Sequence, residues 1–273
     1  MRGRVVHRAA CYTPLMSAIV EFRGVGYAVH QAAGPLEILR DLNFSVEPGE
    51  TLVLLGRSGS GKTTALKLVN RLLVPGAGAV VVEGETTVAW DAIRLRRRIG
   101  YVIQETGLFP HFTVAENIGL VPRLEGWPAE RIRARVDELL ARMDLPPGEF
   151  GGRYPHELSG GQRQRVGVAR ALAADPPVLL FDEPFGALDP VTRFDLQQQF
   201  LTWRRTFGKT AIFVTHDVRE ALMLGTRIGL MHEGHLEMLA TPEEFVGATS
   251  TEARAFLASL DWRMESDADR PIQ

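Results

Sequence analysis

The sequence predicts an α/β fold with a parallel core sheet, and two observations support this prediction. First, short apolar runs recur along the chain: AIVEF, LNFSV, TLVLL, AVVVE, IGYVIQ, PVLLFD, AIFVTH, RIGLMH and HLEML. Second, these runs alternate with stretches that have the spacing of helices, and strands that alternate with helices pack as a sheet covered on its faces. A chain of 273 residues is long enough to form one large domain or two modest ones.

Composition narrows the class of protein. Hydrophobic residues make up 45% of the chain and charged residues 23%, with a formal net charge of −2, so we expect a globular protein with no nucleic-acid partner. Cys11 is the single cysteine, which excludes an internal disulfide and favours a reducing cytoplasm. No apolar run approaches the roughly 18 residues of a membrane-spanning helix. We therefore expect no membrane span.

The chain opens with a segment that predicts little structure. Residues 1–17 form an N-terminal extension, predicted to be disordered, in which Thr13 and Pro14 interrupt any signal-peptide core. Met16 stands two residues before the first strand run, so translation from Met16 is an alternative to translation from Met1.

The third strand run leads into a phosphate-binding pattern. The stretch GRSGSGKT fits G-x-x-x-x-G-K-[ST], with a strand before it and a helix after it, as such a loop requires. Successive N–H groups can turn toward an anion, the lysine reaches terminal phosphates, and the threonine hydroxyl holds Mg²⁺. The pattern alone does not choose among kinases, GTPases and motor ATPases. The predicted nucleotide-binding residues are Gly56, Arg57, Ser58, Gly59, Ser60, Gly61, Lys62, Thr63 and Thr64.

The middle of the chain predicts a helical insert. In PAERIRARVDELLARMDL, apolar residues recur at helical spacing with charges between them. They are Ile132, Val136, Leu139, Leu140 and Met143.

An acidic pair follows a later buried run. The residues VLLF lead directly into Asp182 and Glu183, which places two carboxylates at the end of a strand. An isolated acidic pair is usually solvated charge, but its position after such a strand, downstream of a phosphate loop, favours a catalytic role. Asp182 is predicted to reach Mg²⁺, and Glu183 to orient or deprotonate the attacking water.

From residue 19 to about residue 242 the sequence resembles the nucleotide-binding subunits of ATP-binding cassette (ABC) transporters. The signature LSGGQ stands at residues 158–162, between the phosphate loop and the acidic strand, in the order of that family. The resemblance implies a P-loop NTPase (RecA-like) ABC ATPase core with an antiparallel β subdomain and a helical signature subdomain. The implied bounds are an ATPase domain at 18–245, its helical subdomain at about 106–165, and a short tail at 246–273.

The resemblance also implies a head-to-tail homodimer with ATP and Mg²⁺ at its interface. The signature residues Ser159, Gly160, Gly161 and Gln162 of one subunit would cover the ATP held by the other, since a helix N-terminus there offers an anion site. An ordinary helix cap with a glycine pair is the alternative interpretation.

Further residues match the family one by one. Gln104 resembles the loop glutamine that senses Mg²⁺ and water, and His216 resembles the switch histidine at the γ-phosphate. Tyr27 resembles the aromatic that stacks on adenine, although it is also a candidate packing residue before an irregular insertion, AVHQAAGPLE. Asp189 matches a loop that touches the opposite subunit. The implied catalytic residues are Glu183, His216 and Gln104, and the implied Mg²⁺ ligands are Thr63, Gln104 and Asp182.

A permease is the implied membrane partner. The stretch after Gln104 carries Leu108, Phe109, Phe112 and Val114, which form either an exposed lip that receives a coupling helix or the local core of the insert. The chain would then lie at the cytoplasmic face of the plasma membrane as a peripheral subunit.

Two segments of the sequence indicate the class of cargo. NRLL and RRRIGYVIQETGLFPHFTVAENI resemble importers of osmoprotectants and quaternary amines, such as glycine betaine, choline, carnitine and proline betaine. This implies a periplasmic or extracellular solute-binding protein as a further partner. The sequence continues only to Gln273 after Pro242, so we expect no paired CBS regulatory module in this chain.

Other classes remain as alternatives. An importer of amino acids, polyamines or sulfonates would share these motifs. A soluble ABC ATPase would be expected to carry a coiled-coil insertion or a second cassette. A regulatory module that does not hydrolyse ATP would be expected to lack Glu183 or His216, and both are present.

Overall fold

The computed structural model describes residues 18–32, 34–104 and 107–265. Residues 1–17, which include the predicted extension and Cys11, lie outside the described residues, as does the end of the tail at 266–273. The strands are β1 (Val20–Gln31), β2 (Gly34–Val46), β3 (Thr51–Leu55), β4 (Ala77–Val82), β5 (Glu85–Thr86), β6 (Ile99–Val102), β7 (Val178–Asp182), β8 (Thr210–Thr215), β9 (Arg227–His232) and β10 (His235–Ala240). The helices are α1 (Lys62–Val69), α2 (Ala92–Arg97), α3 (Val114–Leu124), α4 (Ala129–Arg142), α5 (Pro147–Phe150), α6 (Gly160–Leu172), α7 (Pro190–Phe207), α8 (Val218–Leu224), α9 (Pro242–Val246) and α10 (Thr251–Glu265). Across this described part of the chain, each helix is either too short or too polar to cross a membrane.

The described strands form two sheets. One is antiparallel with the order β2-β1-β4-β5, and the other has six strands in the order β10-β9-β3-β8-β7-β6. In the six-stranded sheet β9, β3, β8, β7 and β6 run parallel, and β10 is antiparallel at one edge. This architecture confirms the predicted α/β fold with a parallel core and an antiparallel β subdomain.

The central strand β3 explains why its sequence is a continuous apolar run. Leu52 and Leu54 point into a core shared with the antiparallel sheet and α1, whereas Val53 and Leu55 point into a core shared with the helices on the opposite face. All four side chains are completely buried. Alternate residues of a strand face opposite sides, so a strand covered on both faces needs apolar residues at every position.

The helical insert packs as its spacing predicts. On α4, Val136, Leu139 and Leu140 are buried, Met143 is buried just beyond the helix, and Ile132 packs at the margin of the same core. The helix contacts α3, α5 and α6. Helix α6 runs from the insert back to one face of the parallel sheet. The apolar core of the insert is therefore continuous with the core on that face of the sheet.

The prediction of an irregular loop after Tyr27 was wrong. Strand β1 continues to Gln31 and β2 begins at Gly34, with Val29 opposite Leu36 in an antiparallel hairpin. The residues of this hairpin are mostly exposed. Its sequence therefore lacks the apolar alternation by which a half-buried strand is recognised.

Candidate active site

The phosphate loop lies between the end of β3 and the start of α1. Gly61 has a φ of +100°, a backbone conformation that L side chains rarely adopt, and a Cβ there would lie 2.5 Å from Leu39 Cδ2. Only glycine therefore fits the last turn before Lys62. The loop is a close-fitting backbone cradle at the N-terminus of a helix, which is the geometry that favours an anion.

Lys62 is folded back onto this loop. Its Nζ donates to the carbonyl oxygens of Gly56 at 2.7 Å and Arg57 at 2.8 Å, and the residue is only 4% exposed. Burial lowers the pKa of Lys62, whereas the nearby charges of Glu183 and Asp182 raise it again. The ammonium group thus lies inside the cradle, where a phosphate would be a stronger partner than neutral carbonyls.

Thr63 and Asp182 form the oxygen-rich corner of the site. Thr63 Oγ1 donates to Asp182 Oδ1 at 2.7 Å, and Tyr101 donates its hydroxyl to Asp182 Oδ2 at 3.1 Å. Burial and the charge of Asp182 raise the pKa of Tyr101, so Tyr101 stays a neutral donor. A hydroxyl and a carboxylate oxygen side by side are the hard ligands that suit Mg²⁺.

Glu183 stands in an unusual backbone conformation. Its φ is +45°, while its N–H donates to the carbonyl oxygen of Val214 at 3.1 Å and prolongs the pairing of β7 with β8. Such a conformation costs a non-glycine residue about 1–3 kcal/mol, and it is found mainly at functional sites. It turns the Glu183 carboxylate toward His216, and Oε2 lies 3.0 Å from Nδ1 of that histidine.

Gln104 lies beside this pair rather than in a strand. β6 ends at Val102, two residues earlier than the run IGYVIQ suggested, and Gln104 is exposed in the turn that follows. A Cβ placed on Gly186 would lie 3.4 Å from Gln104 Nε2 and 3.9 Å from Glu183 Oε2. Gln104 is therefore placed against the loop that carries the proposed catalytic carboxylate.

A cluster of buried phenylalanines supports the acidic pair. Phe181 and Phe185 flank Asp182 and Glu183, and their rings lie 5.7 and 5.6 Å from that of Phe213 on β8. The three side chains are at most 3% exposed. Close aromatic packing on both sides of the acidic pair fixes the end of β7.

A buried carboxylate holds the turn that contains His216. Thr215 donates its hydroxyl to Glu220 Oε2, and Gln197 of α7 donates to Oε1 at 3.0 Å. The N–H of Asp217 donates to Thr215 Oγ1 at 3.0 Å, so both neighbours of His216 are fixed. Burial raises the pKa of Glu220. We did not predict this network; a carboxylate on the apolar face of α8 is the signal that marks it.

The signature segment makes its hydrogen bonds within its own helix cap, although Gly160 lines one pocket together with Gln104. Ser159 caps α6: its Oγ accepts from Gln162 N at 3.3 Å, and its N–H donates to Gln162 Oε1 at 2.9 Å. A Cβ on Gly161 would lie 2.6 Å from Thr192 Cγ2, so the glycine allows α6 to approach α7 closely. Asp189 caps α7 by accepting from Thr192 N at 3.0 Å. Among the described residues, no hydrogen bond joins residues 159–162 to the phosphate loop.

The remaining predicted residues are distributed around these elements. Tyr27 is half-buried on β1 and pairs across the strands with Leu39, which abuts the phosphate loop at Gly61.

The proposed lip after Gln104 is mixed: Val114 is fully buried, so it belongs to the core, whereas Phe109 is 41% exposed. Phe109 borders an open groove between the sheet edge and α3 that is also lined by Arg97, Ile103, Val121 and Arg170.

The phosphate loop follows the central strand β3, and the acidic pair lies at the end of β7, with β8 between these two strands. This arrangement defines a nucleotide-binding cassette. The ABC transporter family profile matches residues 39–186, which is more than half of the chain. The chain belongs to the ABC transporter family.

Two relatives of this chain are ATP-binding proteins of import or transport systems. The osmoprotectant import ATP-binding protein OsmV of Salmonella typhimurium is 50% identical over 224 residues, which are 82% of this chain and 59% of OsmV. The glycine betaine/carnitine/choline transport ATP-binding protein OpuCA of Bacillus subtilis is 48% identical over 219 residues, which are 80% of this chain and 57% of OpuCA. The match thus spans less than two thirds of either relative.

A solved structure has the same fold. It is a dimeric ATP-binding cassette in a post-hydrolysis state bound to ADP and Pi, with 33% identity and a TM-score of 0.73. The superposition covers 82% of this chain and 98% of that one. The predicted ABC ATPase fold is confirmed.

Proposed function

We propose that this chain is the ATP-binding and ATP-hydrolysing subunit of an ABC importer that takes up an osmoprotectant or quaternary amine. One observation supports the activity above all: the Thr63–Asp182 and Glu183–His216 pairs lie at the same edge of the parallel sheet as the Lys62 cradle. The importer relatives support the cargo class.

In this proposal each side chain has a separate task. Lys62 leaves the carbonyls of Gly56 and Arg57 and binds the terminal phosphates. Glu183 orients the attacking water and accepts its proton, while His216 holds the Glu183 carboxylate and contacts the γ-phosphate. Thr63 and Asp182, with Gln104, would hold Mg²⁺, which neutralises phosphate charge when bound. Positioning and electrostatic stabilisation supply most of the rate in phosphoryl transfer.

The signature segment would act on a second copy of the chain. Ser159 and the amides of Gly160 and Gly161 would cover ATP bound to the phosphate loop of the partner subunit, in a head-to-tail homodimer. Dimeric cassettes in the same fold support this arrangement. Because only the closed dimer makes both sets of contacts, ATP binding would favour closure and loss of the γ-phosphate would favour opening.

Transport requires partners that the chain itself does not supply. We infer that the groove beside Phe109 docks an integral permease subunit on the cytoplasmic face of the membrane, and that a solute-binding protein delivers the cargo. Importers of amino acids, polyamines or sulfonates are the alternative class, because an ATP-binding subunit does not itself hold the solute.

A copurification experiment combined with uptake tests the proposal. The tagged protein is purified from its own membranes, its partners are identified by mass spectrometry, and uptake of labelled glycine betaine and choline is compared in wild-type and deletion strains. We expect a permease, a solute-binding protein and loss of uptake in the deletion strain. A permease with unchanged uptake would contradict the cargo class, and absence of any membrane partner would contradict the importer.

A further inference from the structure

Arg57, the second residue of the phosphate loop, is tied to the far end of the chain. Its Nε donates to Glu252 Oε1 at 2.7 Å and its Nη2 to Glu252 Oε2 at 3.2 Å, a two-point contact across 195 residues of sequence. His232 Nδ1 lies 3.7 Å from the same carboxylate. The contact joins α10 directly to the phosphate loop.

Glu252 is the anchored partner of this pair. Its side chain is 9% exposed, whereas that of Arg57 is 66% exposed. It lies in the first turn of α10, where Ser250 Oγ accepts from Ala253 N at 3.2 Å and Ala253 is fully buried. A carboxylate at a helix N-terminus is also favoured by the helix dipole. The helix therefore presents a fixed acceptor to which the arginine side chain reaches.

Arg57 is held from two directions. Its carbonyl oxygen accepts from Lys62 Nζ, and its guanidinium is held by Glu252. Under the proposed function Lys62 turns its ammonium group to the phosphates, so the backbone contact weakens when nucleotide binds. The contact with Glu252 is made by the Arg57 guanidinium, not by the backbone carbonyl that Lys62 releases, so it can persist.

We propose that Glu252 is a positioning residue for nucleotide binding, acting through Arg57 on the phosphate loop. The inference rests on the proposed function and adds a role for α10. Without the contact, Arg57 and its neighbours would be free to leave the cradle conformation and would have to be ordered again when nucleotide binds. The free-energy cost of ordering one residue when nucleotide binds is expected to weaken nucleotide affinity about tenfold.

A double-mutant cycle on nucleotide affinity tests the proposal. The dissociation constant of Mg·ATP is measured for the full chain and for Glu252→Gln, Arg57→Gln and the double variant, together with KM and kcat for ATP hydrolysis. We expect each single variant to raise Kd and KM about tenfold, with the kcat of Glu252→Gln unchanged at saturating ATP, and the double variant to be no worse than either single one. Arg57→Lys keeps the charge without the two-point contact and should recover part of the affinity.

The chain offers a matched control. Arg98 makes a two-point contact with Glu83, with both distances 2.6 Å, away from the phosphate loop. Glu83→Gln should leave Kd unchanged. If Glu83→Gln raises Kd as much as Glu252→Gln, the effect is a general loss of stability and the proposal is wrong. Unchanged affinity in Glu252→Gln, or additive effects in the double variant, would also overturn it. If the wild-type chain itself binds no Mg·ATP, the proposed function fails instead.

Discussion

The two halves of the candidate site are built in opposite ways. At the sheet edge the side chains bond to one another: Thr63 bonds to Asp182 and Glu183 lies against His216. In the signature segment the polar groups bond within the segment, because Ser159 and Gln162 cap their own helix. One half is a preassembled cluster, and the other is a self-contained surface. In the proposed head-to-tail dimer, ATP would contact the cluster of one copy and the signature segment of the other.

The topology of the sheet accounts for the difference. Strands β3, β8 and β7 are parallel neighbours, so the residues that follow them meet at one edge although 119 residues separate Thr63 from Asp182. Helix α6 has 13 residues and is about 20 Å long at 1.5 Å per residue. Its C-terminal end leads back to β7, and its N-terminal end lies at the helical insert, where Gly160 shares a pocket with Gln104.

The largest expected effect comes from the catalytic carboxylate. Glu183→Gln should lower the rate of ATP hydrolysis by about 10²–10⁴-fold, because the amide cannot accept the proton of the attacking water. Nucleotide binding should persist, so ATP should accumulate a dimer. Phosphate release and gel filtration measure the two quantities. Glu233→Gln is the control, since Glu233 has the same φ of 45° and is largely exposed. Full turnover by Glu183→Gln would remove its catalytic role.

The next largest effect concerns the cradle. Lys62→Ala should weaken Mg·ATP binding by about 100-fold, since the buried ammonium group proposed to bind the phosphates is lost. Calorimetric titration measures the affinity. Lys67→Ala, on the same helix but half-buried, should bind as the wild-type chain does. Equal affinities for the wild-type chain and Lys62→Ala would mean that the phosphates bind elsewhere.

A smaller expected effect distinguishes the signature segment from the sheet-edge cluster most directly. Ser159→Ala should cost about 1 kcal/mol of stability through the lost cap and should lower ATP hydrolysis, while leaving the affinity of the monomer for ATP unchanged. Thr241→Ala is a matched control, because Thr241 and Glu244 form the same capping box on α9 with distances of 3.2 and 2.8 Å. Both variants should unfold at lower temperature, but only Ser159→Ala should lose turnover. If both lose turnover equally, Ser159 acts as a cap alone.

Local patterns predict the framework of this molecule better than its supporting contacts. The buried strands and the phosphate loop are visible because each follows a rule within a few residues, such as an apolar run or a glycine spacing. Tyr101, Glu220 and Glu252 were not predicted, because their partners are distant in sequence or lie on other elements and no local pattern links them. The nucleotide contacts of the site, including that of Tyr27, stay predictions. The choice between lip and local core could not be made from the sequence; Val114 is buried in the core and Phe109 is 41% exposed, because burial under the insert depends on packing.

The smallest effect tests the unpredicted tyrosine within the preassembled half. Tyr101→Phe removes one of the two side-chain donors that the described residues give to Asp182 and leaves Thr63 in place, so the Mg²⁺ concentration needed for half-maximal hydrolysis should change by about two- to tenfold. Because the pKa of Tyr101 is raised, its hydroxyl stays protonated through the neutral and mildly alkaline range, and the ratio of variant to wild type should be constant there. A titration of Mg²⁺ at several pH values measures both. A ratio that changes with pH across this range would mean that Tyr101 ionises and that its contact with Asp182 is not that of a neutral donor.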